Sequence, residues 1–139
     1  MDTLGHLLRR TALAAFLALT LSGCGGSGSD VGDDGREAAA RFLEDLRADR
    51  LDPAWQATNP EFKSLMGLES LRDCVRTHPA LKGPAEHVEA RDTDRLGGSM
   101  VEHVFRAEGL VRGKPVRSTV KVLVAYVEGK WGVEQIGVE

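Results

Sequence analysis

The sequence predicts an α+β fold in which N-terminal helices pack on a curved four-stranded antiparallel sheet. Two observations predict it. Apolar residues recur at helical spacing between Arg36 and Thr77, and from Glu86 onward the period changes to alternation. Short turn signals separate the alternating runs, so the strands join as close hairpins and form a meander. Helices grouped first and strands afterwards place the helices on one face of the sheet.

The elements follow in chain order. Asp34 and Glu37 have the form of a capping box, and Ala39, Phe42, Leu43 and Leu46 then lie on one stripe of a helix ending near Asp49. Asp52-Pro53 and Asn59-Pro60 each place a capping residue before a proline, so two short helical turns open there. A further helix runs from about Leu68 to Thr77 with Leu68, Leu71, Cys74 and Val75 on one side, and His78-Pro79 stops it. Glu86 to Asp92 reads as a strand, followed by the turn DTDRLGG. Ser99 to Glu108 alternates with Val101, His103, Phe105 and Ala107 on one face. GLVRGK turns the chain into a long strand, Pro115 to Val127, and EGK leads tightly into the last, WGVEQIGVE.

The first 35 residues have a different character. Arg9 and Arg10 precede an apolar run of ten residues, Ala12 to Leu21. A bilayer-spanning helix needs about 20 apolar residues, so the run suits a secretory signal instead. The paired arginines leave the twin-arginine route open beside general secretion, although Leu8 and Ala12 are poor flanks for it. Leu21-Ser22-Gly23-Cys24 resembles the bacterial lipobox, whose cysteine is lipidated and becomes the first mature residue. The resemblance implies an extracytoplasmic lipoprotein of the cell envelope, carrying a thioether-linked diacylglycerol and an N-acyl group on Cys24. Residues after Cys24, GGSGSDVGDDG, have little side-chain surface to bury and read as a flexible tether. The expected organisation is a signal peptide over 1–23, a tether over 24–35 and one folded domain over 36–139. With Cys24 blocked by lipid, Cys74 is left as a lone thiol on an apolar stripe, and no internal disulfide is expected.

The opening AAARFLEDLRADRLDPAWQATNPEFKSLM and the closing VLVAYVEGKWGVEQIGV, with the element order between them, resemble the nuclear transport factor 2-like superfamily. That resemblance implies a cone in which a curved sheet wraps around helices. The superfamily includes ketosteroid isomerase-like enzymes, which use a carboxylate base with a tyrosine and a protonated acid. Here the only tyrosine, Tyr126, lies on the long strand, and no acid stands inside an apolar run. The expected role is therefore a non-catalytic module that binds a small apolar ligand or an envelope protein, with an isomerase-like enzyme acting on a small hydrophobic substrate as the alternative.

Four residues, Trp55, Met66, His103 and Phe105, are the candidate pocket lining between helices and sheet, set against the reading that they simply fill the core. His87 and His103 fall on strands that are potential neighbours, but no close-spaced ligand pair accompanies them, so no metal site is expected. His87 reads as solvated between Glu86 and Glu89, and His103 as a hydrogen-bonded lining residue. Nucleophile-elbow and phosphate-loop patterns are lacking, and no cofactor is expected. A net charge of −3, without a dense basic run, argues against nucleic acid as a partner. VLVAYV, residues 122–127, is apolar on both faces. Its outer face is the place where a second copy would pack if the protein dimerises through the sheet, as members of the superfamily do.

Overall fold

The computed structural model describes residues 34–93 and 99–139; Cys24 and the signal and tether segments lie outside them. Four helices and a 3₁₀ turn precede four strands: α1 (Arg36–Arg47), α2 (Leu51–Gln56), α3 (Pro60–Leu65), α4 (Leu68–Thr77), the turn Pro79–Lys82, then β1 (Ala85–Asp92), β2 (Met100–Val111), β3 (Lys114–Val127) and β4 (Lys130–Val138). The strands form one antiparallel sheet in the order β1-β2-β3-β4, the expected meander.

The hydrophobic pattern decides what the helices cover. Ala39, Phe42, Leu43 and Leu46 of α1 are all buried, as their stripe requires, and Leu71 and Val75 of α4 join them. From the sheet, Phe105, Val120, Val122 and Val124 project into the same core. Phe42 meets Phe62 edge to face with ring centroids 5.7 Å apart, which joins α1 to α3.

The hairpins turn on residues in left-handed conformations. Arg112-Gly113 and Glu128-Gly129 have φ of 49° and 76°, and of 51° and 82°. Such pairs give the tight two-residue turns that match the right-handed twist of the flanking strands. The first of these hairpins is longer than the sequence suggests. β2 continues through Gly109, Leu110 and Val111, because the ladder to β3 runs unbroken to the Val111–Lys114 pair.

Two helix starts also differ, and a third departs in how its cap is used. Gly35, at φ 78°, occupies the N-cap of α1, and no capping box forms. The Asp34 carboxylate instead accepts from the Arg36 amide at 3.1 Å. The turn expected to open at Asp52-Pro53 begins two residues earlier, after Arg50, because Leu51 is drawn into the core. Asn59 does stand at the N-cap of α3, but its side chain points into the fold instead of onto the helix.

Backbone contacts lock the 3₁₀ turn onto β2. A Cβ on Gly83 would lie 1.5 Å from the Glu108 carbonyl oxygen, and one on Gly109 would lie 2.3 Å from that of Pro79. The two glycines therefore let main chain touch main chain. At the outer edge of the sheet, β1 is almost wholly exposed, and Val88 forms a bulge between the His87–Phe105 and Glu89–Val104 pairs.

Candidate functional site

The register of β1 and β2 brings the two strand histidines together. His87 pairs with Phe105, and its side chain reaches diagonally to His103, Nε2 to Nδ1 at 3.0 Å. The other His103 ring nitrogen, Nε2, lies 2.9 Å from the Asp34 carbonyl oxygen and 3.6 Å from Asp34 Oδ1. A chain of polar groups thus runs from the half-buried His87 through the fully buried His103 to the residue that enters α1. His87 is not the solvated residue expected between Glu86 and Glu89; the Val88 bulge turns its ring inward, edge-on to Phe105 at 5.2 Å.

The protonation pattern of this chain follows from one constraint. A carbonyl oxygen only accepts, so His103 Nε2 must carry a hydrogen. Neutral His103 then offers a lone pair at Nδ1, and His87 must donate to it from Nε2–H. Burial pushes the His87 imidazole below its ordinary value, the Arg36 and His103 charges push the same way, and Asp34 opposes them. The unfolded chain therefore takes up a proton on His87 at a pH where the native protein does not. Stability is expected to fall as the pH drops below about 6.5 and to level off below the lowered native value. Urea midpoints measured across that window should show the decline, and His87→Gln should flatten it.

The four sequence-predicted lining residues are not brought to one cavity. Trp55 donates from Nε1 to the Met66 carbonyl oxygen at 2.8 Å, and both are partly buried against the core. Met66 also borders a groove of about 320 Å³ with Phe62, Leu65 and Leu123. Phe105 borders a hollow of about 250 Å³ with Leu43, Leu81 and Val120. His103 is enclosed, with both ring nitrogens committed to protein partners. Cys74 lies apart from the histidine pair; its Sγ is 3.8 Å from His78 Nδ1, and burial pushes the thiol upward. Among the described residues no group of three or more His, Cys, Asp or Glu side chains is placed to hold a metal ion.

A larger groove, about 520 Å³, opens between α1, α2 and the β3–β4 hairpin. Ala38, Ala54, Ala57 and Gly132 leave its floor open, with Phe42 and Val133 at the bottom. Glu37 and Arg41 form one rim, paired at 2.9 Å, while Tyr126, Lys130 and Trp131 form the other. The Tyr126 and Trp131 rings lie 5.5 Å apart, and Tyr126 is 50% exposed. Gly35 rests on Trp131 so closely that a Cβ there would come within 2.7 Å of the indole. This groove was not apparent in the sequence, because it depends on small residues from two helices and a hairpin far apart along the chain.

The sheet's outer face is charged near its β1 side, where Glu86, Arg106, Glu108 and Arg117 alternate in sign. Around Leu123 it carries Glu102, Lys121 and Gln135.

No protein-family model and no curated protein matches the chain. Among solved structures it is similar to an NTF-2 like protein of unknown function from Shewanella oneidensis MR-1. The identity is 16% and the TM-score 0.50, and the match covers 76% of this chain and 96% of the other. At that identity the likeness speaks for the fold alone. Four helices over a curved four-stranded antiparallel sheet give this chain an NTF2-like α+β fold.

Proposed function

We propose that this is a lipid-anchored binding module, displayed outside the cytoplasm, that takes a small amphipathic ligand into the groove between α1 and the β3–β4 hairpin. The groove's composition carries the reading. An open apolar floor of small residues suits the body of such a ligand, and the exposed Tyr126 ring, backed by the half-buried Trp131, can stack on it. Arg41 and Lys130 face its anionic or acceptor groups, and Glu37 its donors. Support for the anchor comes from the order signal, Leu21-Ser22-Gly23-Cys24, Gly/Ser tether, which is a sequence argument. Two acyl attachments meet the requirement for stable membrane retention, since each buried methylene adds roughly 0.8 kcal/mol and one chain alone binds reversibly.

Native mass spectrometry of the full chain, extracted gently from membranes, tests both halves. An acyl mass that survives denaturation supports the anchor, and a further mass lost on denaturation supports the ligand. Ala57→Phe, at an exposed position on the groove floor, is expected to abolish the second mass and leave the first. Retention of the non-covalent mass in Ala57→Phe would place the ligand elsewhere. Cys24→Ser should release the protein from membranes into the soluble fraction; unchanged retention would remove the anchor.

A further inference from the structure

We propose that the His87–His103 pair is a proton-operated latch on the edge of the sheet, closed while the two rings share at most one extra proton and opened when both are charged. The latch needs neither the groove nor the anchor.

His87 is the one residue of β1 that is not exposed, and its side chain hydrogen-bonds to the fully buried His103. Among the described residues β1 has a single neighbour, β2, and the ladder between them is interrupted at Val88, immediately beside His87. The side-chain bond therefore fastens the strand where its backbone pairing is irregular. On the far side, His103 is enclosed within the fold and anchored to the Asp34 carbonyl.

Proton bookkeeping gives the switching behaviour. In the neutral pair, His87 Nε2–H donates to His103 Nδ1, and His87 Nδ1 is free to take a proton from solvent. One proton arriving there leaves the inter-ring bond intact. It can also be relayed: His87 Nε2–H passes to His103 Nδ1, which then donates back, and the positive charge comes to lie near the Asp34 carboxylate. A second proton removes the last lone pair between the rings. Two N–H groups then face each other across 3.0 Å, with two like charges at a ring separation of 5.2 Å. His103 is held by Asp34, so His87, on the exposed edge, is the ring that leaves. The charges acting on His87 are Arg36 from α1, His103 from β2 and Asp34 at the domain entrance. On β1 itself, Glu86 lies on the outer face with Arg106, and Glu89 is paired with Arg91.

Hydrogen exchange of the full chain, followed by mass spectrometry, tests the latch. After correction for the intrinsic pH dependence, exchange over Ala85–Asp92 is expected to accelerate about tenfold between about pH 7 and pH 5, while β3 stays protected. In His87→Gln the side chain can still donate to, or accept from, His103 but does not titrate, so the acceleration should fall below about twofold. Equal acceleration in both proteins, or none in the native protein, would overturn the proposal. Histidine nitrogen chemical shifts give an independent reading at neutral pH: hydrogen on Nε2 of both rings is expected, and His103 found with its hydrogen on Nδ1 would also overturn it.

Discussion

Asn59→Leu is expected to lower stability by about 3 kcal/mol, because several buried acceptors lose their donor at once and each unsatisfied group costs about 1–3 kcal/mol. The side-chain amide of Asn59 serves three acceptors: Ala125 O at 3.2 Å, Gly132 O at 3.1 Å and Glu134 Oε1 at 2.8 Å. Its backbone amide donates to Val133 O at 3.0 Å as well. Both side chains are almost fully buried, Asn59 at 3% exposure and Glu134 at 7%. Leucine would leave the Glu134 carboxyl group and two carbonyls without this donor. A typical domain is stable by about 5–15 kcal/mol, so such a loss consumes much of the total. Urea unfolding measures it directly. Adding Glu134→Met to Asn59→Leu removes the orphaned carboxyl group and should restore about 1–3 kcal/mol. Additive losses in that cycle would mean the two residues do not act together.

Gly83→Ala should be as damaging, at about 3 kcal/mol or more, toward the upper end of overpacking effects. The atoms that the new methyl would meet are the carbonyl group of Glu108, with its oxygen at 1.5 Å, so no side-chain rotation relieves the clash. Either the 3₁₀ turn lifts away from β2 or β2 bends. Both outcomes disturb Leu81 and Ala107, which are buried at that contact. Gly137→Ala provides the matched control, because a Cβ there meets nothing within 4 Å. Thermal unfolding of the two variants should separate them widely. Equal midpoints would show that the turn and the strand part at little cost.

The sequence was most informative where periodicity is strong. The α1 stripe, the extent of α4 and the four-strand meander could all be read from spacing, since each depends on which residues must share a face. Local capping rules did less well, because tertiary partners outbid them. Asp34 satisfies the capping pattern, yet its carbonyl is claimed by His103 and its carboxylate by the Arg36 amide. Asn59 takes the cap position while its side chain serves Glu134, 75 residues away along the chain. His87 and His103 were recognisable as potential neighbours, but the bulge that aims His87 inward has no local signature. The groove was hidden for a similar reason: its floor is made by alanines and a glycine, residues that announce nothing individually.

The two edges of the sheet are ended in different ways, and this bears on how the protein behaves at high density. An open strand edge is a template on which further strands, from other copies, can polymerise. On β4 the Val133 carbonyl already accepts the Asn59 amide from α3. On β1 the Val88 bulge breaks the repeat that an incoming strand would need to match. Glu86, Glu89, Arg91 and Asp92 add a mixed row of charge along that same strand. Copies crowded together would therefore meet misaligned, charged borders, and the sheet would stay four strands wide.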